Sequence, residues 1–336
     1  MPLPPHRTAK ITAVGKYLPE KVITNFDLEK LVDTTDEWIR SRTGIIERRQ
    51  VADGEATSHM ATAAARDILN KRQIDPEEID CIIVATVTPD MLFPATACLV
   101  QNNLGASRAW GYDLSAACSG FLFALDTGAR MIESGRYTKV LVIGADTMSS
   151  IIDYTDRSTC ILFGDGAGAV LLEPCEAGNE GLLDAILRCD GSGAEYLCME
   201  GGGSLHPPTA ETVAGKKHYL YQDGRIVYKY AIKFMADITA DVAQRNGLAI
   251  KDIRLFIPHQ ANQRIIEVCA ERLGLREDQV LSNIDYYANT TAATIPLGIA
   301  DAVEQGRIKP GDNVILTAFG AGFTWGGIYL RWSEVV

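Results

Sequence analysis

The sequence predicts an α/β fold with helix-covered sheets, built from two related halves. Three observations carry this. Short continuous apolar runs recur along the chain, each bounded by Gly, Pro or Asp. They are CIIVATV (81–87), KVLVIGA (139–145), LFIP (255–258) and NVILTAFG (313–320). Runs of this kind suit strands buried on both faces. Longer helical patterns alternate with them, as expected where helices cover a sheet. Finally, the two parts of the chain repeat one another.

The repeat is read from aligned segments. ARMIESGRYTKVLVIGA (129–145) is matched by IADAVEQGRIKPGDNVILTAFGAG (299–322). Glu133, Gly135 and Arg136 meet Glu304, Gly306 and Arg307 at a single offset of 171 residues. Upstream, YDLSAACSGF falls opposite YYANTTAATIP, and the same offset sets Cys118 against Asn289. His259 falls opposite Thr88, just after the first apolar run. The shared order of helix, strand, small-residue segment, helix and strand makes duplication the better explanation than chance. The halves are expected at 1–173, carrying Cys118, and 174–336, carrying His259 and Asn289. Equivalent positions related by a pseudo-twofold axis converge near it, so Cys118 and Asn289 are expected to face one pocket.

Composition narrows the classes. The chain has 336 residues, 47% hydrophobic and 22% charged, enough for a sizeable core without a metal or disulfide staple. A net charge of −11 argues against broad nucleic-acid binding. The eight cysteines form no CxxC pair, and several lie in apolar runs, which favours reduced thiols over zinc ligation. MPLPPHRTAK has no apolar signal region, and no run approaches the roughly 18–20 apolar residues that span a bilayer. The expected compartment is the cytoplasm, with no membrane partner.

Three positions stand out chemically. Cys118 lies in GYDLSAACSGFLFALDTGARMIESG (111–135), where a strand-like run (109–114) passes through small residues into an apolar helix. A thiol at a helix N-terminus can have its pKa lowered from about 8.5 to about 3.5–7.5. Its small neighbours leave room for a substrate. Any one thiol taken alone reads as a buried structural cysteine; the flanks and the opposed Asn289 reverse that here. His259 follows a buried strand and precedes a helix, a frequent place for functional groups in α/β folds. Asn289 alone reads equally as a turn or N-cap asparagine. GAGFTWG (320–326) is a tight turn whose backbone N–H groups could form an oxyanion hole. FGDGAGAV (163–170) lacks the Lys of a phosphate loop and reads as close backbone packing. EGGGSLHPPTAETVAGKKH (200–218) reads as a loop excursion, after which residues 227–247 resume an amphipathic helix.

VDTTDEWIRSRTGIIERR (32–49), DLSAACSGF (113–121), TDRSTCILFGDGAGAV (155–170), PHQANQRI (258–265), ANTTAATIP (288–296) and GAGFTWG (320–326) together resemble β-ketoacyl-acyl-carrier-protein synthase III of the thiolase superfamily. The resemblance runs over nearly the whole chain after the first ten residues. It implies a duplicated thiolase-like five-layer αβαβα fold and a homodimer. It implies a Cys–His–Asn triad on Cys118, His259 and Asn289, with the backbone N–H groups of Cys118 and Ala321 as oxyanion donors. By the same resemblance Trp38 and Arg157 sandwich the adenine of coenzyme A and Arg42 meets its phosphates. Thr34, Gly224 and Asn262 line the channel. Phe93 is implied as an acyl-pocket wall reaching across the dimer interface, and Lys229 and Arg264 as the carrier-protein docking patch. The chain departs from the pattern at Glu271-Arg272, where well-known members carry two adjacent lysines, and at Ala321, where many have Gly.

The implied activity is an acyl transfer: decarboxylative Claisen condensation of an acyl-CoA primer with malonyl-acyl carrier protein, initiating fatty-acid biosynthesis. No metal or redox cofactor is implied; the coenzyme A thioester is substrate. Alternatives are a relative in specialised metabolism using another primer or acceptor, a Cys–His–Asn hydrolase, and a non-catalytic coenzyme A- or carrier-binding protein.

Overall fold

The computed structural model describes residues 7–176 and 180–335. The chain opens with a long strand, β1 (Arg7–Tyr17). A small excursion follows: β2 (Lys21–Thr24), α1 (Asn25–Leu28), α2 (Asp36–Thr43) and β3 (Glu47–Gln50). Helix α2 is N-capped by the Thr35 hydroxyl and stopped by Gly44, whose φ of 81° suits glycine. An alternating unit comes next: α3 (Thr57–Arg72), β4 (Cys81–Ala85), α4 (Thr96–Leu104), β5 (Trp110–Leu114), α5 (Gly120–Glu133), β6 (Val140–Asp146) and β7 (Gly166–Glu176).

The remainder begins with β8 (Gly181–Cys189). The two-residue strands β9 (Leu197–Cys198) and β10 (Tyr221–Gln222) pair with each other and close the 200–218 excursion, which holds the short α6 (Ala210–Ala214). Helix α7 (Gly224–Arg245) starts three residues earlier than the sequence pattern placed it, because Asp223 accepts the N–H groups of Arg225 and Ile226. Then come β11 (Leu255–Pro258), α8 (Gln263–Leu273), α9 (Ile284–Tyr287), α10 (Thr294–Glu304), β12 (Asn313–Gly320) and β13 (Thr324–Arg331).

Among the described residues two large sheets result, ordered β1-β7-β6-β4-β5 and β11-β12-β13-β8, beside the two-stranded pairs β2-β3 and β9-β10. The strands read from apolar runs are β4, β6, β11 and β12, each buried along most of its length. Alternation along them separates the layers. Ile83, Val140 and Val142 of the first sheet and Ile257, Val314 and Leu316 of the second face a shared interior with α5 and α10. Ile82, Val84, Leu141 and Ile143 turn the other way onto α3 and α4. Phe256, Ile315 and Tyr329 turn onto α7. The order is thus helices, sheet, helices, sheet, helices, the five-layer αβαβα arrangement.

The repeat is visible in the backbone. Ala117 and Ala288, which share the 171-residue offset, both adopt left-handed φ values, 48° and 57°. Each half's central strand also meets the other half's small-residue turn at a glycine. A Cβ on Gly144 of β6 would lie 2.3 Å from the Ala292 carbonyl oxygen, and one on Gly320 of β12 would lie 2.7 Å from the Cys118 nitrogen. The first sheet uses strands between residues 7 and 176, so the 173/174 division read from the repeat falls inside β7. Among the described residues no helix is long and apolar enough to cross a membrane.

Candidate active site

Cys118, His259, Asn289 and Ala321 line one cavity of about 310 Å³ with a largely apolar wall that includes Val87, Met148, Leu220 and Phe319. Cys118 comes from a single 3-10 turn (Ala117–Ser119) between β5 and α5, reached through the left-handed Ala117. His259 directly follows β11; its backbone N–H donates to the Thr317 carbonyl (2.8 Å), which ties it to β12. Asn289 is clamped to the first half. Its N–H donates to Leu162 (3.0 Å) and its carbonyl accepts from Gly164 (3.1 Å). Its side-chain Oδ1 accepts the Thr291 N–H at 2.9 Å, which assigns the amide orientation and leaves the Nδ2 protons for the cavity.

The electrostatics differ from the expectation for the thiol. Cys118 is 7% exposed. Burial, and then the Asp146 carboxylate, push its pKa up to about 12, against a smaller lowering by its own backbone N–H. Desolvation thus outweighs the lowering by the backbone N–H at the turn ahead of α5, and the thiol rests protonated. Burial also pushes His259 down to about 3. At neutral pH the site holds a neutral thiol and a neutral imidazole, whose Nδ1 lies 2.7 Å from the Thr294 hydroxyl.

The residues implied for coenzyme A fall into two groups. Gly224 and Asn262 line the cavity. Asn262 caps α8 through Oδ1 and donates from Nδ2 to the Arg42 carbonyl (3.1 Å), so it connects the wall to α2. Trp38, Arg42, Thr34 and Arg157 do not line it. Arg157 adjoins Ser158, which does, and its guanidinium lies 5.1 Å from the Trp38 ring centroid. A base between them needs two van der Waals contacts, about 7 Å. The two side chains therefore stack on each other here, with Arg157 also donating to the Asp33 carbonyl (2.8 Å). The Thr34 hydroxyl is buried without a partner among the described residues.

Phe93 is 84% exposed and does not line the cavity of its own chain. Lys229 on α7 and Arg264 on α8 are both exposed. The Arg264 guanidinium lies 5.8 Å from the ring of Tyr228, itself a cavity residue.

Sequence reasoning missed two supporting groups. Asp146, at the end of β6, is fully buried. Its Oδ1 accepts from Val87 N–H (2.8 Å) and from the Thr86 and Thr88 hydroxyls (both 3.0 Å), and its Oδ2 from Ala292 N–H (3.0 Å). Burial raises its pKa to about 6 despite these donors. It thus joins the first half to the turn after Asn289. The available signal was a carboxylate ending the apolar run KVLVIGA. Thr294 packs against His259 from 35 positions away, and no local pattern shows it.

A thiol lining an apolar cavity can accept an acyl group, and N–H donors lining the same cavity can hold the charge that builds when a second thioester forms a carbanion. On a duplicated five-layer fold, this defines a carbon–carbon condensing acyltransferase. Residues 112–191 match the family described as 3-oxoacyl-[acyl-carrier-protein (ACP)] synthase III, and residues 243–332 match its C-terminal part. A β-ketoacyl-[acyl-carrier-protein] synthase III of Chlorobium phaeovibrioides is 57% identical, over 97% of this chain and 99% of that protein. One of Koribacter versatilis is 57% identical, over 97% and 98%. The crystal structure of 3-oxoacyl-[acyl-carrier-protein] synthase III from Aquifex aeolicus superposes with a TM-score of 0.89 at 44% identity, covering 96% of this chain and 100% of that one. The priming β-ketosynthase of the R1128 polyketide pathway superposes with a TM-score of 0.92 at 33% identity, covering 99% of each. The chain belongs to the 3-oxoacyl-[acyl-carrier-protein] synthase III family.

Proposed function

We propose that this protein condenses an acyl-CoA primer, acetyl-CoA or similar, with malonyl-acyl carrier protein and so initiates fatty-acid biosynthesis. The observation that carries this reading is the convergence of Cys118 from one half with His259 and Asn289 from the other on a single apolar cavity. The Cys118 sulfur attacks the primer thioester as it loses its proton. The bond to coenzyme A breaks, and coenzyme A leaves as the thiol. The backbone N–H groups of Cys118 and Ala321 hold the oxyanion. In the second half-reaction the malonyl carboxylate leaves as CO₂ and its electron pair moves onto the thioester oxygen. The N–H groups of His259 and Asn289 hold that enolate. Its carbon attacks acyl-Cys118, the carbon–sulfur bond breaks, and the sulfur regains a proton from solvent. No step calls for a metal or redox group.

Coenzyme A is proposed to enter past α2, with adenine parting Trp38 from Arg157, its phosphates near Arg42, and its arm passing Thr34, Gly224 and Asn262. Lys229 and Arg264 are proposed to meet the acidic carrier protein. A homodimer is proposed through strand β5, which ends the first sheet. Trp110 on it is 45% exposed, and the β4–α4 loop presents Leu92 and Phe93 at 81% and 84%. An open edge flanked by exposed apolar side chains favours pairing with a second copy, which would carry Phe93 toward the partner's pocket.

The test is product analysis with acetyl-, branched- and longer-chain acyl-CoAs at fixed malonyl-acyl carrier protein, with malonyl-CoA as control acceptor. A β-ketoacyl-carrier product is expected. Release of coenzyme A with free acid and no such product would indicate a hydrolase and overturn the reading.

A further inference from the structure

Thr294 opens α10 and is 2% exposed. Its Oγ1 lies 2.7 Å from His259 Nδ1 and 3.1 Å from the Thr291 carbonyl oxygen. A hydroxyl has a single proton to give. Where that proton goes decides which imidazole nitrogen bears hydrogen. If it goes to the carbonyl, Nδ1 must itself donate to Oγ1, and Nε2 is left as a bare lone pair. If it goes to Nδ1, the ring proton sits on Nε2.

Two features favour the second arrangement. The contact to Nδ1 is the shorter of the two. The Thr291 carbonyl already accepts the backbone N–H of Thr294, so it does not depend on the hydroxyl. The chemistry agrees, because a lone pair at Nε2 would oppose the negative charge that grows on the malonyl thioester oxygen.

We propose that Thr294 is a positioning residue for the condensation: its hydroxyl donates to His259 Nδ1 and holds the imidazole as the Nε2–H tautomer that meets the enolate. The assignment rests on the condensation reading above. It differs from catalysis by Thr294 itself, since the hydroxyl acts through the histidine and touches no reacting atom.

The test has a spectroscopic and a kinetic arm. In wild-type protein labelled with ¹⁵N-histidine, His259 is expected to show a protonated Nε2 and an unprotonated, hydrogen-bonded Nδ1 at pH 7. His259→Asn assigns its resonances among the five histidines. Thr294→Val keeps the shape and removes the hydroxyl; Thr294→Ser keeps the donor. Thr294→Val is expected to lose the unique Nε2–H signature. Its malonyl decarboxylation should fall at least about tenfold, since losing one oxyanion donor outright costs on the order of 100–1000-fold. Acetylation of Cys118 by acetyl-CoA should fall less and report that the variant is folded, and Thr294→Ser should recover both. A wild-type His259 protonated at Nδ1, or Thr294→Val decarboxylating at the wild-type rate, overturns the assignment. Wild-type protein that shows the Nε2–H tautomer yet neither acylates Cys118 nor decarboxylates malonyl substrate overturns the condensation reading instead.

Discussion

Gly144→Ala tests whether the two halves hold each other's catalytic turns. The added Cβ would lie 2.3 Å from the Ala292 carbonyl oxygen, 2.8 Å from its carbon and 3.3 Å from the Ala293 nitrogen. All three are backbone atoms, so no side chain can rotate away. An ordinary carbon–oxygen contact is about 3.3 Å or more, and the turn must retreat by about 1 Å. That movement also stretches the 3.0 Å bond from Ala292 N–H to Asp146. Overpacking of this kind costs about 1–3 kcal/mol. The displaced turn begins two residues after Asn289, and a misplacement of about 1 Å can cost on the order of 100-fold in rate. The structure predicts a selective loss. Malonyl decarboxylation should fall by about that factor, with a smaller effect on acetylation of Cys118. Gly320→Ala is the mirror case, since its Cβ would lie 2.7 Å from the Cys118 nitrogen and 3.0 Å from that of Ser119; acetylation should suffer first. Half-reaction rates by rapid quench, with denaturant unfolding alongside, read both effects. If Gly144→Ala is as stable as wild type, or slows acetylation more than decarboxylation, the reciprocal-packing argument is wrong.

Alkylation of Cys118 by iodoacetamide in the substrate-free protein should rise about tenfold per pH unit from pH 7 to 10, because a thiol pushed up to about 12 is still almost wholly protonated there. A plateau near pH 7 would show a resting thiolate instead. Trp38→Ala should raise KM for acyl-CoA by about tenfold or more, the loss expected when a base loses its aromatic platform, with little change in KM for malonyl-acyl carrier protein; equal effects on both would place Trp38 in the core instead. Asp146→Asn puts an amide donor where Oδ1 or Oδ2 now accepts backbone N–H groups, so denaturant unfolding should show a loss of about 2 kcal/mol or more; unchanged stability would mean that the buried carboxylate does not tie the halves together.

Much of the scaffold was legible because burial on both faces writes itself as continuous apolar runs. Strands β4, β6, β11 and β12 all lie within or beside the predicted segments. The 171-residue offset paired Cys118 with Asn289, and the structure adds that the residues just before them, Ala117 and Ala288, both have left-handed φ values. The thiol's state was not legible. Position at a helix start is a local property, whereas Cys118 is buried where β12 of the other half packs against its turn through Gly320. Thr294 and Asp146 were hidden for the same reason: each acts across a long sequence separation, on His259 and on Ala292. The Trp38–Arg157 stack follows from how the Thr155–Ser158 loop folds onto α2, which neither segment encodes alone. Phe93 shows the converse case, a side chain whose implied role depends on a second copy and which stands exposed on its own chain.

The most direct test of the central claim is intact-protein and peptide mass analysis after incubation with acetyl-CoA, followed by a chase with malonyl-acyl carrier protein. One acetyl group on the peptide containing Cys118 is expected, discharged in the chase as β-ketoacyl-acyl carrier protein, with Asn289→Ala still acetylated but failing the chase. Acetyl on another of the eight cysteines, or an acetyl-Cys118 that the chase leaves untouched in wild-type protein, would contradict the account.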